Sequence, residues 1–536
     1  MLPPQKPAVD YSVYLVTGRD LLPPGKSYLK SLQEALEGGV TVVQVREKNS
    51  ETRDFLDIAR QTVAACSPFN VPVLINDRID IALACNAAGV HIGQTDMPID
   101  IVQQLLPAHA IIGVSCTNVE HARKAVADGA DYVGLGAVFS TSTKDVSEPG
   151  RVCGMNGVRD MLAVLEGSGV KTVAIGGIKS KNLARVLHGA VTSNGHALDG
   201  VAVVSEIVAS QDPRAAARRL SRIYTSWARL PRTVHGLCYT QQHTATSITR
   251  VAAELLQAIK EVKPLVHQIT NNVVKTQSAN ATLALGGSPI MAAAEEEQVD
   301  LARIPGGLLI NFGTIEDVDG MIIAGREANA NRRPVVFDPV GVGATNYRRQ
   351  TAERLLNIWQ PTVIKGNAAE ISTIAKLNEV KGQGVDSLGS GFKDPVSVVR
   401  ALARRERCIV VLSGPIDYIS DGVSVLRLLN GHSFLGQITG SGCILGTAIT
   451  TFCGVASILA ERASLPLDND LGMLVKGDMF VAAAAGVLAL TIASELAAER
   501  ADVHGPGSFL PALIDGLSLL TPEMILQRAK VEIVAQ

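Results

Sequence analysis

Short apolar runs, each ending in a polar or glycine-rich turn and followed by an amphipathic stretch, recur along the first part of the chain. The runs are Val13–Thr17, Thr41–Arg46, Val73–Asp77, Val90–Gln94, Ile111–Ser115, Tyr132–Phe139, Thr172–Gly177 and Val201–Glu206. Helical spacing fills most of the gaps, as in Ser27–Glu37, Thr52–Cys66 and Val119–Asp128. Near-continuous apolar strands alternating with helices imply a parallel sheet covered on both faces. Eight such units in roughly 200 residues predict a (β/α)8 TIM barrel. That fold does its chemistry at the C-terminal ends of the strands, and the polar residues fall there strand after strand.

From Ser221 to Thr249 the pattern stops, and Pro231, Gly236 and several Gln and Thr residues read as a linker. The expected division is a barrel over 1–230, a linker over 231–250 and a second domain over 251–536. In the second domain strands are predicted at Leu265–Ile269, Leu308–Phe312, Val335–Phe337, Thr362–Lys365 and Ile409–Ser413, with an Ala-rich helical region closing the chain. This is a second, doubly wound α/β pattern. Cys443–Ala460 and Met479–Ser494 are apolar enough to imitate membrane spans, but both are rich in Ala, Gly and Thr, and the second is shorter than the roughly 20 residues a span needs. Both are predicted to be buried helices.

Composition agrees. The chain has 536 residues, 47% hydrophobic and 19% charged, enough to bury a full core in each half. A net charge of −2 without long basic or acidic runs argues against a nucleic-acid groove or an anionic membrane surface. The eight cysteines form no Cys-x-x-Cys pair, which disfavours a zinc ribbon or a thioredoxin-type site. Buried, reduced thiols and an opening segment without the basic and apolar regions of a secretory leader lead to an expected cytoplasmic location.

In the first half, strand alternation puts Gln44, Arg46 and Lys48 on one face. Arg46 can fork onto phosphate oxygens and Lys48 adds a point charge; the bland alternative is a solvated charge cluster. Asp77 and Asp96 end neighbouring strands, where two carboxylates and a diphosphate make hard-oxygen ligands for Mg²⁺; either alone reads as a turn or helix cap. Ser115 ends the fifth strand, and the hydroxyl-rich Ser140–Lys144 suits either phosphate or a mere polar loop. Gly176 and Gly177 after the seventh strand, with Val204 and Ser205 after the eighth, match the backbone phosphate site of such barrels.

Together Gln44–Lys48, Asn76-Asp77, Asp96, Ser115, Thr141–Lys144, the Gly-Gly turn and Val204-Ser205 resemble the motif set of thiamine phosphate synthases over roughly residues 10 to 225. The resemblance implies binding of hydroxymethylpyrimidine diphosphate by the Gln44-Val45-Arg46-Glu47-Lys48 segment, Asn76, Ser115 and Lys144. It implies Mg²⁺ on Asp77 and Asp96, and thiazole phosphate on Thr141, Ser142, Thr143, Gly176, Gly177, Val204 and Ser205. The family more often has proline where Ser140 stands; the change removes no ligand.

No Walker-type phosphate loop is present in the chain: Gly25-Lys26-Ser27, in the first half, resembles its end, but Asp20 occupies the place of the first glycine. Instead, Thr439-Gly440-Ser441-Gly442-Cys443 leads into an apolar helix, exposing N–H groups to an anion. Cys443 there is either a buried structural thiol or a base whose thiolate the helix start favours. Asp338 ends a strand before a glycine turn, and Asn367 and Glu370, three apart, either share a metal-facing helix side or simply cap the helix.

These pieces, with Thr270–Val273, Ala279-Asn280, Ser288–Met291 and Leu412–Pro415, resemble hydroxyethylthiazole kinases of the ribokinase-like fold over roughly residues 250 to 530. The resemblance implies Cys443 where related kinases place an aspartate base, and Asn271, Met291 and Gly440 at the thiazole alcohol. It further implies ATP contacts at Lys365, Asn367 and Ser413, metal association at Asp338 and Glu370, and trimers with thiazole sites between subunits, hence a homo-oligomer. Lys365 replaces the usual arginine and loses its bidentate fork; Ser413 and Ser441 replace threonines and keep a hydroxyl. The expected protein is a bifunctional thiamine phosphate synthase and hydroxyethylthiazole kinase of fungal arrangement. Its rivals are a barrel fused to another small-alcohol kinase, such as one for the pyrimidine, or a chain with one non-catalytic half.

Overall fold

The structure, a computed structural model, describes residues 6, 8–142, 151–230, 243–377, 382–383, 386–387, 391–463 and 472–535. Two compact units emerge: 1–230 with 468–472, and 231–467 with 473–536.

In the first unit β1 (Val13–Val16), β2 (Val42–Val45), β3 (Val73–Asn76), β4 (Gly89–Ile92), β5 (Ile111–Cys116), β6 (Tyr132–Leu135), β7 (Lys171–Ile175) and β8 (Gly200–Val203) close into a barrel. Every neighbouring pair is parallel, including the closing pair β1–β8. Alternation divides the strand residues between two cores. Val13, Leu15, Val43, Val45 and Ile75 pack outward under the helices. Tyr14, Val42, Leu74, Ile111, Tyr132 and Val173 fill the interior. The helix Thr52–Cys66 has the span its spacing predicts, and Tyr28–Glu37 and Val119–Ala127 differ from theirs by one residue at one end.

The second unit is built on nine strands: β9 (Leu265–Ile269), β10 (Ser288–Ile290), β11 (Gly306–Asn311), β12 (Val335–Asp338), β13 (Val363–Gly366), β16 (Ile409–Leu412), β17 (Asp417–Ser420), β18 (Val425–Leu428) and β19 (Val531–Ala535). The order is β10-β9-β11-β12-β13-β16-β17-β18-β19. A two-residue hairpin, β14 (Gly382–Gln383) with β15 (Asp386–Ser387), stands apart. The sheet is parallel through β16 and antiparallel beyond it. Its first helix, Ala245–Val262, begins ahead of the expected boundary at 251, because Thr244 and Ser247 cap each other's backbone N–H in a capping box. The remainder of the expected linker, 231–242, lies outside the described residues.

The two span-like stretches are the helices Ser441–Ala463 and Met479–Ala498, long and apolar enough to cross a membrane, each with 89% of its most apolar window buried inside the protein. They pack closely enough that a Cβ on Gly486 would lie 2.6 Å from the Ile449 Cα.

Candidate active sites

In the barrel, alternation turns Gln44 inward and leaves Arg46 half-buried at the same end of β2. The Thr17 hydroxyl accepts from the Arg46 N–H at 3.0 Å and fixes that strand end. Burial lowers the Arg46 pKa, and Asp20 offsets part of the effect. Lys48 is exposed beyond it. Two side chains of the same segment point elsewhere. The Val45 side chain is fully buried under the helices. Glu47 receives both the Arg19 Nε and Nη2 at 2.8 Å, and the Ser50 hydroxyl also at 2.8 Å. The period of two that points Gln44 and Arg46 inward points these two outward.

Asn76 and Asp77 follow on β3, and Asp77 takes positive φ, 65°. Burial, and after it the nearby Asp96 charge, raises the Asp77 pKa. Asp96 closes its own turn by accepting from the Gly93 N–H at 2.7 Å. Two neighbouring carboxylates are a donor set that suits a hard divalent cation. Among the described residues no group of three or more His, Cys, Asp or Glu forms a metal cage. Gly176 and Gly177 both take positive φ, 105° and 65°. A Cβ on Gly176 would lie 2.6 Å from Ala137 and one on Gly177 2.8 Å from the Ser140 carbonyl, so the Gly-Gly turn and the Ala137–Ser140 stretch close on each other. Thr141 is half-buried and Ser142 exposed beside that turn, and Val204 and Ser205 follow β8. Thr143 and Lys144 lie outside the described residues.

In the second unit the chemistry collects at the C-terminal ends of β9, β11, β12, β13 and β16, the ligand-binding edge of an open parallel sheet. Lys365 on β13 is buried and its ammonium lies 3.1 Å from Asp338 on β12. Burial disfavours that ammonium, but the facing Asp338 and Glu370 charges outweigh it and keep Lys365 protonated. Asn311, at the end of β11, donates to Asp338 at 2.8 Å and to the Cys443 sulfur at 3.2 Å. Asn271, after β9, donates to the Asn311 carbonyl at 3.0 Å and to Cys443 at 3.4 Å. Both amides are oriented by backbone donors: Val273 N–H on the Asn271 oxygen, Gly313 N–H on the Asn311 oxygen. Cys443 thus sits in the first turn of the helix Ser441–Ala463 with two N–H groups on its sulfur. Burial, then Asp338, nonetheless raises its thiol pKa.

Asn367 and Glu370 form a reciprocal capping box, and a second Glu370 oxygen accepts from the Gly341 N–H at 2.9 Å. Burial pushes the Glu370 carboxyl up to about 7. Asn367's amide oxygen is therefore turned to the helix start. Ser413 follows β16 with its hydroxyl 3.4 Å from the Gly366 carbonyl. Met291 is half-buried after β10, and Gly440 takes positive φ, 84°, against Val274 and Gln277.

Residues 13–207 match the family model for thiamine monophosphate synthase, and residues 256–465 that for the hydroxyethylthiazole kinase family. A Schizosaccharomyces pombe protein described as a probable thiamine biosynthetic bifunctional enzyme is 39% identical over 98% of this chain and 99% of its own length. The chain belongs to the family of fungal bifunctional thiamine biosynthetic enzymes. The Saccharomyces cerevisiae thiamine biosynthetic bifunctional enzyme is 37% identical over 97% of each chain. A hydroxyethylthiazole kinase from Methanocorpusculum labreanum is 40% identical over 52% of this chain and 97% of its own. In this bifunctional enzyme the barrel is the thiamine phosphate synthase and the second unit the hydroxyethylthiazole kinase.

Sequence reasoning missed Asn311 in the kinase. Asn311 left one usable signal, a lone amide in the apolar run Leu308–Phe312.

Proposed function

We propose that the kinase unit transfers the γ-phosphoryl group of ATP to the hydroxyl of 4-methyl-5-(2-hydroxyethyl)thiazole, and that the synthase unit joins the product to hydroxymethylpyrimidine diphosphate, releasing diphosphate. Cys443 is the base in the first reaction: it stands in a helix's first turn, and two amide donors aimed at its sulfur offset part of the burial that raises its pKa, which eases formation of the thiolate that must take the alcohol proton. This arrangement carries the assignment. Asn271, Met291 and Gly440 line the thiazole alcohol. Lys365, Asn367 and Ser413 serve ATP, with Asp338 and Glu370 associated with its Mg²⁺. The unit is a ribokinase-like fold, which the parallel sheet order and the glycine-led helix support.

In the synthase, Gln44, Arg46, Lys48, Asn76, Ser115 and Lys144 hold the pyrimidine diphosphate. Thr141, Ser142, Thr143, the Gly176-Gly177 turn, Val204 and Ser205 hold the thiazole phosphate. Asp77 and Asp96 would hold Mg²⁺ with the diphosphate, where it neutralises leaving-group charge. Arg46 and Lys48 stabilise the same charge as the thiazole nitrogen attacks the pyrimidine methylene carbon. Little proton transfer is needed, so no general base is assigned.

Exposed Val273, just before the helix Lys275–Leu285, and Leu283, on it, support self-association of the kinase unit, for which the family resemblance implies a homo-oligomer built on trimers. Free thiols at all seven described cysteines support a cytoplasmic location. A competition assay on the full chain with ATP tests the substrate: phosphorylation of the thiazole alcohol in preference to the pyrimidine alcohol is expected, and the opposite preference overturns the assignment.

A further inference from the structure

A continuous line of hydrogen bonds crosses the barrel interior. The Gln44 Nε2 donates to the Tyr14 hydroxyl at 2.7 Å. The Tyr14 and Tyr132 hydroxyls are 2.8 Å apart. The Tyr132 hydroxyl meets His91 Nδ1 at 2.8 Å, and His91 Nε2 meets the Ser115 hydroxyl at 2.8 Å. The line therefore runs from β2 through β1, across the axis to β6, and back through β4 to β5. Gln44, Tyr14, Tyr132 and His91 are buried. The fold leaves room for the two central rings: a Cβ on Gly113 would lie 2.0 Å from the Tyr132 ring, and one on Gly134 would lie 3.3 Å from the His91 ring.

One end sets the direction of every hydrogen in the line. Burial raises the pKa of both phenols, so each keeps its single proton. The Tyr14 oxygen accepts from Gln44; accepting from Tyr132 as well would leave the buried Tyr14 hydrogen with no acceptor in the line, so the arrangement that satisfies both hydroxyls sends it to Tyr132. The Tyr132 hydrogen then goes to His91 Nδ1. A neutral imidazole that accepts at Nδ1 carries its hydrogen on Nε2 and gives it to Ser115. The Ser115 oxygen accepts there, and its own hydrogen points elsewhere. Reversal would need the Gln44 amide turned over, and Ser115 would then spend its hydrogen on His91.

We infer that Tyr132 is a positioning residue of the synthase, which with Tyr14 and Gln44 holds His91 as the Nε2–H tautomer and leaves Ser115 a hydrogen donor to an acceptor atom of the pyrimidine substrate. The inference rests on Ser115 as a substrate contact, and three variants of the full chain separate the two. Tyr132→Phe keeps the ring and removes the link. It is expected to lower synthase kcat about ten-fold, as loss of an orienting outer partner does, with KM for the pyrimidine diphosphate within about two-fold and kinase turnover unchanged. In the ¹⁵N-histidine-labelled full chain, the His91 ring signals, assigned by their loss in His91→Gln, report Nε2–H in the wild type and lose that single-tautomer pattern in Tyr132→Phe. Should Tyr132→Phe not fold, Tyr14→Phe is expected to shift kcat and tautomer in the same direction. An Nδ1–H tautomer in the wild type, or unchanged kcat and tautomer in the tyrosine variants, overturns the inference. If Ser115→Ala leaves the synthase intact, the substrate contact fails; if it is impaired while the tyrosine variants are not, only the relay fails.

Discussion

Arg19 and Arg46 stand at the same end of the barrel and do different work. Arg19 is spent on Glu47 in a two-point ion pair whose carboxylate is nearly buried. Arg46 is partly desolvated and carries a charge that an anion can meet. Arg46→Ala is expected to cost about 100-fold or more in synthase kcat/KM, the scale of removing a charge-stabilising donor. Arg19→Ala is expected to leave kcat/KM almost untouched and lower stability by about 1–3 kcal/mol, since it strands a buried acceptor. Steady-state kinetics and urea melts on the two variants check both. The sequence segment containing Gln44 to Lys48 made the cluster visible, but only the realised strand phase says which side chains reach the mouth. A capping box has the same ambiguity: Asn367 and Glu370 carry ligand-type side chains at a spacing that also closes a helix start, and here they do close it.

Elements were more legible than residues. All eight barrel strands lie within or next to their predicted runs, because apolar strands between amphipathic helices have few alternative packings. In the kinase sheet the long buried strands were equally plain. The three-residue β10 and the antiparallel β17–β19 carry no continuous apolar run, being interrupted by Ser288, Asp417, Arg427 and Glu532, and so leave little sequence signal. Ala and Gly content predicts that the two apolar helices are buried, and the contact at Gly486 gives the physical reason: small residues let the two backbones touch. Gly486→Val must push Ile449's backbone away, at a cost of about 3 kcal/mol or more. Kinase activity is expected to be lost at a lower temperature than in the wild type, with the thermal loss of synthase activity unmoved.

At the scale of the molecule, buried carboxyls make the kinase unit sensitive to base. Burial raises Asp417 to about 7 although it accepts from the Gly414 N–H at 3.1 Å. In an unfolded chain it titrates near 3.9. Below that value both states hold the proton. Between about 4 and 7 only the folded state does, so stability falls as pH rises through this window and levels off above it. Glu370, also raised to about 7, acts in the same direction. Asp417→Asn removes one of the two titrations. Its gain in melting temperature over the wild type is expected to grow from pH 4 to pH 8, and a gain independent of pH would refute this.

The central claim is that one chain makes thiamine phosphate through two separate sites. Full-length enzyme supplied with hydroxyethylthiazole, ATP, Mg²⁺ and hydroxymethylpyrimidine diphosphate is therefore expected to form thiamine phosphate. Asp77→Ala should stop the reaction with thiazole phosphate accumulating. Cys443→Ala should stop it earlier and recover fully when thiazole phosphate replaces the alcohol and ATP. A Cys443→Ala enzyme that still turns the alcohol into thiamine phosphate at the wild-type rate, or that thiazole phosphate does not rescue, would contradict the account.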